Sequence, residues 1–376
     1  MLRVMQINSG ELFGGVSAMV FNFYKNIDRS KIQFDFIAPK KSSYKIHEHE
    51  IKQMGGRIIE LKTKGNFLKR KLQFFKRLIK LIKTNQYDVV HINSGSIFLN
   101  IQVAWIAKYC GVKKIIAHSH NSGNDHYLLA LLTKLCKPLL EFGPTDYFAC
   151  SNRAAQFMFT SKRIKSGKYK VINNGIDIEE FNFSNVTRKK YRSNLSIGGK
   201  VALLHVGRFT KAKNHIKLIG IFDEYHKLNP NSLLLLAGEG ALKLKIKDEI
   251  EKRGLTENVI FLGLRKDVPA LMDAADAFVL PSLYEGLPVV GVEAQASGLP
   301  CVFSGSITDE VNLLKNRNVF VDLSKNDAEW ALQINKLVLQ NTHAHRKSAS
   351  QLVGEKGYSL VDVAKQLEKI YLSSLG

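Results

Sequence analysis

Hydrophobic positions along the 376-residue chain gather into short apolar runs separated by longer stretches compatible with helix or loop. Through the first 175 residues the runs read LRVMQIN, IQFDFIA, RIIEL, YDVVHIN, KKIIAH, DYFACS and KYKVIN. These predict strands in a repeating βα series. The alternation pauses in a polar, basic stretch from Asn182 to Lys200, then restarts with VALLHVG, SLLLLAG, NVIFLG, DAFVLP, LPCVFS and NVFVDL. Runs with no polar face belong to strands covered on both sides by helices, so two parallel, doubly wound sheets are expected. The pattern divides the chain into an N-terminal domain over 1–180, a linker over 181–199 that ends in Ser-Ile-Gly-Gly, and a second domain over 200–355. From Tyr358 to Leu375, Leu360, Val363, Ala364, Leu367, Ile370 and Tyr371 recur at helical spacing and predict a terminal amphipathic helix.

Length agrees with two domains, and 45% hydrophobic with 23% charged residues sets disorder aside. No run reaches 18 apolar residues, and the opening MLRVMQINSG reads as a strand, so a cytoplasmic protein is expected. Cys110, Cys136, Cys150 and Cys301 are scattered, which suggests neither a disulfide framework nor a zinc site. The formal charge of +22 calls for a polyanionic partner: nucleic acid, an anionic lipid surface or a phosphorylated substrate.

Four segments carry candidate chemistry. In SGELFGGVSAMV, Gly10, Gly14 and Gly15 lie between the first strand and first helix, where backbone can approach an anion. The spacing is not that of a dinucleotide fingerprint, and a simple tight turn also fits. In VGRFTKAKNH, Arg208, Lys211 and Lys213 follow a strand, at the end of an open sheet where ligands bind, and Asn214 can cap the next helix. Cations there would grip a diphosphate leaving group. In PSLYEGLPVVGVEAQASGLP, Gly286 and Pro288 place Glu285 in the loop before a helix, with the Gly286 and Leu287 N–H groups at its positive end and Glu293 inside it. A carboxylate in apolar VVGVEA needs a partner, and the arrangement suits a sugar and a ribose. In IIAHSHNSGND, His118 and His120 end a strand and face the space between two such domains, where a histidine can bond a sugar hydroxyl. The same H-x-H spacing recurs at His47/His49 and His343/His345 with no carboxylate cluster, so no divalent cation is expected.

The segment Lys62 to Lys83 is strongly basic and free of acidic residues, with Lys69, Arg70 and Arg77 among its cations and Phe74 and Phe75 among its aromatics. A basic amphipathic helix over 67–83 could lie on an anionic membrane, and could equally cover the sheet with its cations solvated.

Taken together, GGVSAMV, VINNGID, VGRFTKAKN, LLLLAGEG, NVIFLGLRKDV and YEGLPVVGVEAQASGLP resemble the retaining glycosyltransferases of family 4, across nearly the whole chain. AHSHNS and EAQASGLPCVFSGSITDEV are similar to bacterial enzymes of capsular or exopolysaccharide assembly. The resemblance implies a GT-B fold, two Rossmann-like domains facing across a cleft, with the last helix crossing back to the first domain. It implies a nucleotide-sugar donor, most often a UDP-sugar, with no cofactor or metal. A lipid-linked or saccharide acceptor would be used at the inner face of the cell membrane. It further implies that Arg208 and Lys213 bind the donor diphosphate, that Glu285 contacts the transferred sugar, that Glu293 holds the ribose and that His118 lies beside the sugar. Gly14, Gly15, Gly238, Leu264, Arg265, Gly286, Leu287, Pro288 and Val289 would complete the donor site. Many relatives carry a lysine-glycine pair where this chain reads Lys211-Ala212-Lys213-Asn214, so Lys213 is the expected cation and Lys211 the alternative. Nucleic-acid binding, a non-catalytic scaffold and a sugar-nucleotide epimerase are the competing classes; an epimerase needs no acceptor.

Overall fold

The computed structural model describes residues 1–8, 15–39, 42–123, 127–340 and 346–373. Each of the thirteen apolar runs is a strand, and among the described residues the strands form two wholly parallel sheets. The first holds β1 (Leu2–Asn8), β2 (Ile32–Ala38), β3 (Arg57–Glu60), β4 (Val89–Asn93), β5 (Lys114–Ser119), β6 (Asp146–Ala149) and β7 (Lys170–Val171), in the order β3-β2-β1-β4-β5-β6-β7. The second holds β8 (Val201–Val206), β9 (Ser232–Ala237), β10 (Val259–Gly263), β11 (Ala277–Leu280), β12 (Cys301–Ser304) and β13 (Asn318–Val321), in the order β10-β9-β8-β11-β12-β13. In each sheet the chain winds outward in one direction and then returns to wind in the other. The reversal falls between β1 and β4 and between β8 and β11, where open α/β sheets bind ligands at the carboxyl ends of their strands.

The chain forms two compact units, residues 1–175 with 360–376, and residues 176–359. The terminal helix Leu360–Leu372 belongs to the first. Its Leu360, Val363, Ala364, Leu367 and Tyr371 are buried in one core cluster with Val4, Phe34, Phe148 and the apolar side of the helix Gly15–Asn26.

The stretch 181–199, expected as a linker, carries a helix, Asn185–Asn194, capped by Ser184 and held within the second unit. Arg188 donates to the Asp273, Ala274 and Ala275 carbonyls at 2.8–2.9 Å and pairs with Asp276 at 2.6 Å. Arg192 reaches Asp276 and the Ala274, Gly198 and Lys200 carbonyls. This helix is anchored by guanidinium groups on a helix C-terminus rather than by an apolar stripe, so its polarity mimics that of a linker.

The basic segment forms the helix Phe67–Asn85, whose first turn is capped by Asn66 accepting from the Lys69 N–H at 3.0 Å. Its buried stripe is Phe74, Leu78 and Ile82, packed against β4 and β5 residues, with Phe75 at the edge. Phe74 is therefore a core residue and not a lipid contact, because spacings of four and four place it above Leu78 and Ile82. Arg77 donates to the Lys62 carbonyl. Phe67, Leu68, Leu72, Lys69 and Arg70 remain exposed. Among the described residues no helix is long and apolar enough to cross a membrane.

Candidate functional site

Four loops leaving the carboxyl ends of β8, β9, β10 and β11 bring most of the expected residues of the second unit to one edge of its sheet. After β8 the chain places Arg208 at the surface, buries Phe209 and makes a single turn of 3-10 helix, Lys211–Lys213. Asn214 follows in the left-handed region at φ 55° and starts the helix His215–Leu228. Its side chain makes no cap bond; it donates instead to the Pro281 carbonyl at 3.1 Å. Leu283 N–H donates to the Ala212 carbonyl at 2.8 Å, so the turn after β8 is stitched to the loop after β11.

That stitching brings Lys213 to Glu285, Nζ to Oε1, at 2.6 Å, with both side chains less than a fifth exposed. The pair bridges β8 and β11 at the point where the strand order reverses. Lys211 is exposed, and the carboxylate of Glu285 pairs with Lys213. Gly286, Leu287 and Pro288 are buried and lead into the helix Val289–Ala296, for which Pro288 is the N-cap. Glu293 lies one turn inside that helix.

Burial and, to a lesser extent, the nearby Glu180 carboxylate raise the Glu293 carboxyl to about 7, against the opposing charge of Lys213. A carboxylate raised toward neutrality in this way marks a candidate binding or catalytic position. Glu180 had no signal in the sequence beyond a polar stretch, and only the fold brings it beside Glu293.

Gly238 follows β9 at φ 150°, and a Cβ there would collide with the Gly207 carbonyl oxygen. Its glycine is required by the close approach of the β8 and β9 ends, whatever else it contacts. After β10, Leu264 is 55% exposed and Arg265 forms a forked pair with Asp267, at 2.8 and 2.5 Å.

In the first unit, Gly15 is exposed and opens the helix Gly15–Asn26 with open space around its Cα; Gly10 and Gly14 lie outside the described residues. His118 sits at the end of β5 and is fully buried. Its Nδ1 lies 3.1 Å from His91 Nε2, its ring centroid is 4.0 Å from that of His120, and its Nε2 has no hydrogen-bond partner among the described residues. His91 and Tyr371, which complete this cluster, were missed in the sequence. A histidine inside the otherwise apolar VVHIN was the available signal.

The family described as Glycosyl transferases group 1 matches residues 187–352, and Glycosyltransferase Family 4 matches residues 13–180. A protein of Bacillus subtilis (strain 168) named as a glycosyltransferase, EpsF, is 31% identical over 98% of this chain and 96% of its own length. An Escherichia coli UDP-Gal:alpha-D-GlcNAc-diphosphoundecaprenol alpha-1,3-galactosyltransferase is 29% identical over 64% of this chain and 63% of its own. Among solved structures, Anabaena Alr3699/HepE in complex with UDP-glucose matches 99% of this chain and all of that one, with a TM-score of 0.81 at 18% identity.

Proposed function

Because the chain belongs to the glycosyltransferases, with a family 4 N-terminal region and a group 1 C-terminal region, we propose that it moves a hexose, with retention and without a metal, from a UDP-sugar to a lipid-linked or saccharide acceptor in cell-surface polysaccharide assembly. The observation that carries this reading is the Lys213–Glu285 pair at the strand-order reversal of the second unit, with the half-buried Glu293, its carboxyl raised to about 7, in the adjoining helix. The Escherichia coli relative's name, which pairs a UDP-sugar with a diphosphoundecaprenol acceptor, supports the donor nucleotide and acceptor class.

Arg208 and Lys213 would neutralise the diphosphate as negative charge grows on its departing oxygen, the role for which a metal is otherwise needed. Glu285 would hold the transferred sugar through its hydroxyls. The acceptor oxygen bonds to the anomeric carbon on the face from which the diphosphate leaves, and the departing phosphate oxygen takes the acceptor proton. No carboxylate nucleophile is used. Gly238, Leu264, Arg265, Gly286, Leu287, Pro288 and Val289 would line the nucleotide from the loops after β9, β10 and β11, and His118 and Gly15 would act from the first unit.

Contact with an anionic membrane at the inner face is part of the same reading. Phe67, Leu68 and Leu72 are each more than half exposed among Lys69, Arg70 and Lys71. The helix Tyr127–Leu140 likewise leaves Leu128 and Leu135 about two-thirds exposed, beside Phe142.

The test is nucleotide release and product formation with a panel of UDP-sugars and lipid-linked acceptors. Wild type should release UDP only when acceptor is present, with or without EDTA, and Glu285→Ala should lower kcat by about a hundredfold or more. Wild-type turnover in Glu285→Ala would remove Glu285 from the site, and acceptor-independent conversion of the sugar would point to an epimerase.

A further inference from the structure

Five polar side chains, Gln6, His91, Asn93, His118 and Tyr371, are buried together in the first unit and joined by hydrogen bonds, with His120 half-buried beside them. Gln6 Oε1 accepts from Asn93 Nδ2 at 2.7 Å, which leaves Gln6 Nε2 to donate to the Tyr371 hydroxyl at 3.1 Å. In the arrangement inferred from these contacts, the Tyr371 hydroxyl, which accepts from Gln6 Nε2, donates to His91 Nδ1 at 2.6 Å. A neutral His91 that accepts at Nδ1 carries its proton on Nε2, which faces His118 Nδ1 at 3.1 Å. His118 then carries its proton on Nε2, the buried atom with no partner among the described residues.

Burial keeps the rings neutral: it draws His91 and His120 down to about 3 and His118 well below the ordinary histidine value, with neighbouring imidazoles acting in the same direction on His91 and His118. A buried N–H left unbonded costs about 1–3 kcal/mol, so this donor, unfilled among the described residues, is open to an acceptor oxygen of a ligand. His120 takes the opposite part. Its Nε2 lies 3.3 Å from Asn93 Oδ1, the acceptor side of the same amide, and its Nδ1 is left as a bare acceptor.

We propose that Tyr371 and His91 are positioning residues that lock His118 in the Nε2–H tautomer, so that it presents one N–H donor to an acceptor oxygen of the bound substrate. The lock runs from the last turn of the terminal helix to the end of β5, over 253 positions of sequence, wholly inside the first unit. Its functional half rests on the glycosyltransfer reading; the tautomer itself does not. With the opposite tautomer His118 would offer a lone pair and repel the same oxygen.

Long-range proton–nitrogen spectra of the full chain, with 15N-labelled histidine rings and no substrate, test the lock directly. His91→Gln and His118→Gln assign the two resonance sets. In wild type at pH 7.5 both rings should be neutral and protonated on Nε2. In Tyr371→Phe, which removes only the hydroxyl, His118 should divide between both tautomers. A wild-type His118 that is cationic or protonated on Nδ1, or one whose tautomer is unchanged in Tyr371→Phe, overturns the proposal.

A transfer assay reads the consequence. His118→Gln, whose amide N–H reaches the Nε2 position, should retain about tenfold more activity than His118→Asn, whose amide reaches only Nδ1. Equal activity of the two variants overturns the donor role. Since the spectra need no substrate, an inactive wild type would count against the glycosyltransfer reading while leaving the lock to be judged on the tautomers.

Discussion

At Glu293 two effects act in the same direction: burial penalises the charged carboxyl, and Glu180 repels it, so that its folded pKa of about 7 stands well above the unfolded value. Such a group costs the folded state nothing below pH 4.5, where it is protonated folded or unfolded. The cost grows as pH rises between the two values and is complete above 7. Glu293→Gln should therefore leave stability unchanged at pH 4.5 and raise it at pH 8, by at most about 3 kcal/mol, measured by denaturant unfolding at both values. Donor affinity should move the other way. An ionised carboxylate accepts ribose hydroxyls and a protonated one competes poorly, so the wild-type dissociation constant should fall about tenfold from pH 6 to pH 8, a dependence that Glu293→Gln abolishes. Affinity independent of pH in wild type would detach Glu293 from the nucleotide.

Among elements, the helix Phe67–Asn85 divides its labour between its two faces. Phe74→Ala should cost about 3–5 kcal/mol of stability and leave vesicle binding by the folded fraction untouched, since Phe74 sits in the core. Lys69→Ala and Arg70→Ala should leave the melting point unchanged and each weaken partition onto vesicles containing anionic lipid about fivefold at low salt. Sedimentation with lipid separates the two outcomes, and equal partition by the double variant would assign this helix to sheet coverage alone. The periodicity that built these elements was legible where burial is apolar. The inner strands show as continuous runs because parallel strands are covered on both faces, while the edge strands β3 and β7 are only partly covered. The helix Asn185–Asn194 was not legible, because Arg188 and Arg192 hold it by charge and hydrogen bonds to backbone. The choice of Lys213 over Lys211 depends on one turn of 3-10 helix and on Leu283 bonding Ala212. The His91–Tyr371 contact joins residues 280 positions apart, and no local pattern encodes it.

For the whole molecule, the first unit closes its core with the last helix of the chain. Removing residues 360–376 would strip Leu360, Val363, Leu367 and Tyr371 from that core. At about 1.5–3 kcal/mol for each large buried side chain, the loss rivals the 5–15 kcal/mol that holds a domain folded. The truncated chain should lose the β1–β7 sheet, read as fast amide exchange across residues 2–175, while residues 200–353 stay protected. The charge of +22 belongs to this scale also. It attracts diphosphates and anionic surfaces alike, so salt will weaken both. The central claim is that the carboxyl ends of β8 to β11 hold a nucleotide sugar between Lys213, Glu285 and Glu293. Calorimetric titration of UDP-, GDP-, dTDP- and ADP-sugars into wild type and Glu293→Ala, with and without EDTA, tests it most directly. Selective binding of one donor, unchanged by EDTA and weakened at least tenfold in the variant, is the predicted result; no binding of any donor to folded wild type, or equal binding by both proteins, would contradict it.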